Sequence, residues 1–337
     1  MIDRRRLTMG GAGLALSGCA DRASGPAIQV NLALPAQPAG ERADAQLTTG
    51  ADFSRRVTAP VRINGQGPFD FVVDTGANRT VIATELAQML GLPDAGMATV
   101  HGVAGAGTAS TVRVARLEAD TIAMRDVRAP ALARDQLGAD GLLGVDMLQN
   151  RRVLMDFVER RLTITGDRSA NADLSSFDLR MSQTGTHRDL GLPIIVPARY
   201  RFGQLIIIGA DVSGHPVTAF VDSGSQSTVG NNALRRMVSE VAPAAPKAVR
   251  LRVPVLSATG QTAEGELGDM PLLRIGGLNF TGLTTVFSDL HVFEIWGLMQ
   301  RPSLLLGMDI LGRFNAIELN YARRQVVFYL PPKGRLG

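Results

Sequence analysis

The chain has 337 residues, about twice the usual single-domain size, so two compact units are expected. Apolar residues make up 45% and charged residues 20%, which suits a packed core and excludes a wholly disordered chain; the formal charge of +4 is scattered and too small to imply a nucleic-acid partner. The single cysteine, Cys19, excludes an intramolecular disulfide framework and any Cys-built metal cluster, and four well-separated histidines, His101, His187, His215 and His291, argue against a dedicated metal site.

At the N-terminus, Arg4-Arg5-Arg6 precedes a short apolar run that ends in small residues. Residues 7–18 are too short to span a bilayer as a helix, and residues 1–19 have the layout of an export signal. Leu16-Ser17-Gly18-Cys19 resembles the bacterial lipobox, which implies lipidation of Cys19 and attachment to a membrane, facing the periplasm of a bacterial cell envelope. Arg4-Arg5 followed by Leu7 also resembles a twin-arginine signal. Residues 20–51, rich in Ala, Pro, Gly and Gln, read as a tether inside which a first strand could begin.

With 37 Gly, 17 Pro and few long helical periods, the rest favours strands and turns. One pattern is written twice. Val61-Arg62-Ile63-Asn64-Gly65 leads into Phe69-Asp70-Phe71-Val72-Val73-Asp74-Thr75-Gly76, and Asp211-Val212-Ser213-Gly214 leads into Ala219-Phe220-Val221-Asp222-Ser223-Gly224. Asn64-Gly65 and Ser213-Gly214 carry hairpin-turn chemistry. A helical stretch follows each copy, over residues 84–91 and 231–238. Further on, Leu142-Leu143-Gly144-Val145-Asp146 matches Leu305-Leu306-Gly307-Met308-Asp309, each followed by an alternating apolar strand region, 152–164 and 316–330. Two elements recurring in the same order indicate duplication. The lobes then run over 52–165 and 190–332, with a polar linker over 166–189.

Asp74 and Asp222 each follow an apolar strand, an awkward place for a solvated charge, because desolvation penalises a carboxylate. Gly76 and Gly224 permit tight turns and close backbone approach. Thr75 and Ser223 supply hydroxyls able to tie two such turns together. If the halves pack about a two-fold axis, the carboxyl groups meet there and share one proton, giving a base and an acid bridged by water. That chemistry needs no cofactor and no metal.

Asp74-Thr75-Gly76-Ala77-x-x-Thr80-Val81 and Asp222-Ser223-Gly224-Ser225-x-x-Thr228-Val229, with the two Leu-Leu-Gly runs, resemble the signatures of the aspartic proteases, and the short lobes resemble their retroviral-like (retropepsin) branch. The resemblance implies an all-β fold of two similar closed β-barrel-like lobes with short helices, related by a pseudo-two-fold axis. It implies Asp74 and Asp222 as the catalytic pair, a protein or peptide substrate, and a monomer holding both aspartates. It also implies hairpin flaps over the cleft, for which Gly102, Val103, Ala104 and Gly105, and Ala258, Thr259 and Gly260, are the candidates.

The bland readings sit beside these. A lone Asp-Thr-Gly is mostly an ordinary turn, and a duplicated scaffold can be a catalytically inactive peptide-binding lipoprotein, or an enzyme working only as a dimer through Asp74. The second copy has Ser225 where the first has Ala77, and Gly230 follows Val229, so the second lobe is the expected place for drift. His101 reads as a surface hairpin histidine, and Asp146 and Asp309 as turn or helix caps. Asp74 to Gly144 spans 144 − 74 = 70 residues and Asp222 to Gly307 spans 307 − 222 = 85; the excess is expected in 288–302, where Phe293, Trp296 and Met299 line a substrate pocket, touch a partner or extend the core.

Overall fold

The computed structural model describes residues 45–48, 50–51, 56–166, 190–242 and 251–331. Cys19, the export signal and nearly all of the 166–189 linker lie outside the described residues. Among the described residues, no helix is long and apolar enough to cross a membrane. The chain is mostly β, in two lobes.

In the first lobe, strands Val57–Ile63 and Gln66–Val73 form the expected hairpin. Asn64 (φ 51°) and Gly65 (φ 82°) both take left-handed backbone, the geometry a two-residue hairpin turn demands. Asp211–Val212 and His215–Pro216 repeat it around Ser213 (φ 49°) and Gly214 (φ 91°). The run Phe71-Val72-Val73 does not alternate because that end of the strand is covered on both faces. It pairs in parallel with Gly141–Leu143, as Thr218–Val221 pairs with Ser303–Leu306. Those parallel pairings lay each Leu-Leu-Gly run alongside the strand that ends in aspartate.

The expected helices form at Thr84–Met89 and Asn232–Val241. Asn231 caps the second, its side chain accepting from the Leu234 N–H at 2.9 Å.

One expectation needs correction. The lobes are barrel-like but not closed barrels. In the first, only Arg62–Glu118 and Ile63–Leu117 join Val57–Ile63 to Gly105–Ala119, and the ring stays open. In the second, Asp211–Val212, His215–Pro216, Leu273–Ile275 and Leu278–Phe280 form a separate four-stranded sheet. The strands after each Leu-Leu-Gly run pair across the lobes. Arg151–Asp156 pairs antiparallel with Ala316–Asn320, inside a continuous run that includes Ala45–Thr48, Arg161–Gly166, Gln325–Leu330 and Leu192–Arg201. Ala45–Thr48 belongs to the segment expected to be tether.

The excess length of the second lobe is shared between two places. The segment between strand Leu283–Phe287 and strand Ser303–Leu306 has 302 − 287 = 15 residues, against 140 − 132 = 8 between Ile122–Leu132 and Gly141–Leu143. The rest falls earlier, where the helix has ten residues against six.

Candidate active site

Each aspartate closes its strand with the same backbone bond. The Asp74 N–H donates to Leu143 O at 3.1 Å, and the Asp222 N–H to Leu306 O at 3.0 Å. The loops that follow are pinned beneath by the Leu-Leu-Gly glycines. A Cβ on Gly144 would lie 2.4 Å from the Arg79 carbonyl carbon, and one on Gly307 2.5 Å from that of Ser227. Only glycine allows backbone to pass backbone this closely.

Asp146 and Asp309 stand in the first turns of their helices, and each also reaches back across the chain. Asp146 is buried and accepts from the Thr80 N–H at 3.0 Å and the Thr80 hydroxyl at 2.8 Å. Asp309 is exposed and accepts from the Thr228 hydroxyl at 2.8 Å. Both carboxylates tie a helix start back to the aspartate loop. Burial holds the Asp146 carboxyl above the usual range, against the pull of its Thr80 donors and Arg79.

Thr75 and Ser223 interlock across the lobes, both fully buried. The Thr75 hydroxyl donates to Val221 O (3.0 Å) and accepts from the Ser223 N–H (3.0 Å). The Ser223 hydroxyl donates to Val73 O (2.7 Å) and accepts from the Thr75 N–H (3.2 Å). The arrangement is reciprocal, and it brings the two aspartate turns face to face. A Cβ on Gly76 would stand 2.6 Å from Asp222 Oδ1, and one on Gly224 2.4 Å from Asp74 Oδ1. Each carboxylate therefore lies over the other lobe's glycine.

The carboxylates are held from behind by amides. Asp74 Oδ1 accepts from the N–H groups of Gly76 (2.8 Å) and Ala77 (2.9 Å), and Asp222 Oδ1 from those of Gly224 (3.0 Å) and Ser225 (3.2 Å). Burial and then the Asp74 charge push Asp222 up to about 7, while Gly224, Ser225 and Arg56 pull the other way. Burial also raises Asp74, countered by Ala77, Gly76 and Arg56. Tyr321 is buried, and its burial, Tyr200 and Asp74 together keep its phenol protonated.

The two hairpin tips meet each other. Gly102, Val103, Ala104 and Gly105 turn between Asp94–Gly102 and Gly105–Ala119, and Ala258, Thr259 and Gly260 turn between Arg252–Leu256 and Thr262–Met270. Gln261 Nε2 donates to Ala106 O at 3.1 Å, joining one tip to the other. Val103 packs on an apolar cluster of the second lobe that contains Phe220, Phe293 and Trp296. Trp296 stacks on Phe220 (centroids 4.6 Å apart) and on Phe202 (5.7 Å). Phe293 and Trp296 of the longer segment thus extend the core and support a hairpin tip.

His101 is not a free surface histidine. Its Nδ1 lies 2.9 Å from Nε2 of His291, on the short helix His291–Ile295, with the rings stacked. Among the described residues, no group of three His, Cys, Asp or Glu side chains could hold a metal ion.

Residues that sequence reasoning missed also border the loops. Arg56 Nη2 donates to Leu137 O at 2.5 Å, and its charge acts on both aspartates. Gln204 is buried and donates to Gly76 O at 3.0 Å and Asn78 Oδ1 at 3.1 Å. The signal for both was numerical: 74 − 56 and 222 − 204 each equal 18.

Residues 59–150 match the family model described as gag-polyprotein putative aspartyl protease, and residues 208–310 match the one described as aspartyl protease. Together they span more than half of the chain and contain both aspartates and both Leu-Leu-Gly runs. A comparison with curated proteins finds no significant match.

Proposed function

Because the chain belongs to the retropepsin-like aspartic proteases, with two such lobes in tandem, we propose that it is an endopeptidase whose catalytic residues are Asp74 and Asp222. The observation that carries this reading is the reciprocal seating of each carboxylate over the other lobe's glycine. Two acids so close do not both ionise readily, so the pair enters the reaction with one proton. Asp222, the more buried of the two and the one raised further by its partner's charge, holds that proton; Asp74 acts as the base.

A water between them gives a proton to Asp74 as its oxygen bonds to the scissile carbonyl carbon. The Asp222 proton moves to the carbonyl oxygen as its charge develops. The gem-diol intermediate then breaks its C–N bond as Asp74 gives its proton to the leaving amine and one diol hydroxyl returns its proton to Asp222. Thr75 and Ser223 hold the loops in register throughout, so little reorganisation accompanies the proton transfers. The meeting hairpin tips act as flaps that part to admit an extended peptide.

On the same reading the protein is an exported, lipid-anchored one through Cys19, and its substrates are envelope proteins or peptides. Intact-mass measurement of the membrane fraction tests the anchor: an unmodified Cys19 overturns it. Peptide-library digestion read by mass spectrometry tests the activity. The native protein should cleave, Asp74→Ala and Asp222→Ala should not, and chelators should leave cleavage unchanged. Binding without cleavage in the native protein would favour a silent peptide-binding module. Survival of activity in Asp222→Ala would favour a dimer working through Asp74.

A further inference from the structure

We propose that Gln204 is a positioning residue for Asp74, holding from the opposite lobe the peptide group that donates to its carboxylate. The inference rests on Asp74 being one of the working pair. Gly76 C=O and Ala77 N–H belong to one planar peptide unit. Gln204 Nε2 donates to the oxygen end of that unit at 3.0 Å, and the nitrogen end donates to Asp74 Oδ1 at 2.9 Å. Fixing one end of a rigid plane aims the other. Donation to the carbonyl also polarises the peptide and strengthens its N–H as a donor, by roughly 10–30% for linked bonds.

The geometry is built for this contact. Gln204 is only 2% exposed, so its amide has little water to turn to. A carbonyl oxygen accepts and never donates, which sets the nitrogen of Gln204 toward Gly76. The hairpin carrying it turns through Phe202 (φ 59°) and Gly203 (φ 79°), and a Cβ on Gly203 would stand 2.0 Å from Asn78 Oδ1. Glycine there is what lets the second lobe's hairpin reach the first lobe's loop.

The strand registers make Gln204 the counterpart of Arg56. Thr58 pairs with Val72 and Ile206 with Phe220, so each partner is fourteen residues on (72 − 58 and 220 − 206) and two before its aspartate. Stepping back two more residues gives Arg56 in one lobe and Gln204 in the other. One position of the duplicated frame thus carries a cation in the first lobe and a neutral amide in the second. The ionisable groups acting around Asp74 are Asp222, Arg56 and Tyr321. Gln204 adds no charge to that set, and its effect passes through the peptide alone.

The test is a carboxyl titration of the full chain labelled with 13C-aspartate, with the Asp74 signal identified by its loss in Asp74→Asn, beside the pH dependence of kcat/KM. In Gln204→Met, weaker donation to the ionised carboxylate should raise the Asp74 titration by about half a unit or more. The acid limb of kcat/KM should move the same way, with kcat down about tenfold and KM within about twofold. Gln204→Arg, which restores a donor and the symmetry with Arg56, should return kcat to within about threefold of native and titrate at or below the native position. Gln204→Asn, an amide withdrawn by one methylene, should shift in the same direction as Gln204→Met and serves if the latter does not fold. An unchanged Asp74 titration in Gln204→Met, or Gln204→Arg behaving like Gln204→Met, overturns the proposal. Absence of cleavage by the native chain would instead sink the endopeptidase reading, while the titration would still decide the role of Gln204.

Discussion

The two aspartate loops share a backbone and differ in how they are buttressed. Both close with the same strand bond, the same pair of amide donors and the same glycine passing beneath. In the first lobe the Asp146 carboxylate is buried and takes both the amide and the hydroxyl of Thr80; in the second, Asp309 is exposed and takes the Thr228 hydroxyl. The second lobe instead spends its longer segment on Phe293 and Trp296, which brace the hairpin tip of the first. After duplication the frame was kept where backbone meets backbone, and the copies diverged where side chains fill the space around it.

Substituting the aspartates is the strongest way to break the comparison. Asp74→Asn and Asp222→Asn should each lower kcat by about a thousandfold or more, since each is assigned half of the proton transfer. Steady-state assays on the best library peptide will show it; a large loss in only one variant would mean the lobes are not functionally paired. Gly144→Ala and Gly307→Ala come next. Each forces a methyl into loop backbone, at a cost of about 1–3 kcal/mol or more, and denaturant unfolding should give similar values for the two.

Thr80→Val and Thr228→Val sharpen the difference. The first removes one of several donors from a buried carboxylate and should cost about 1–3 kcal/mol, and the second about 0.5–1.5 kcal/mol, by the same unfolding measurement. Equal costs would erase the distinction between the two buttresses.

The smallest effect is in pH. Asp222 titrates higher folded than unfolded, so the native state binds the extra proton between about 4 and 7. Its contribution is fully present below the unfolded value, and stability falls as pH rises through that window. Asp222→Asn should flatten this part of the stability profile, and the basic limb of native kcat/KM should lie near 7. A native protein whose thermal midpoint climbs over the same range would contradict the assignment of the proton to Asp222.

Much of this frame was readable from the chain alone, for local reasons. Asn64-Gly65 and Ser213-Gly214 announce hairpins because few residues tolerate left-handed backbone twice in succession. Repetition of the Asp and Leu-Leu-Gly elements marks the two lobes, and hydroxyls at Thr75 and Ser223, placed alike in two matching turns, are legible as ties between them. What was not readable depends on contacts between distant segments. Nothing local to 152–164 or 316–330 says that these strands pair with each other, because an apolar alternating strand does not encode its neighbour. His101 and His291 are 291 − 101 = 190 residues apart, and only the packing of the longer segment on the first hairpin joins them. Gln204 was missed because an amide beside a hairpin turn has no signature until its register with Arg56 is known.

The sheet running from Arg151–Asp156 into Ala316–Asn320 has a kinetic consequence. A reaction centre assembled from two separate copies falls apart on dilution, and its output then grows faster than the amount of protein supplied. Here the halves are covalently joined and stitched through a shared β layer, so their encounter is intramolecular at any concentration. If the proposed pair works within one chain, specific activity should stay flat from micromolar down to picomolar protein, which would let sparse molecules work alone.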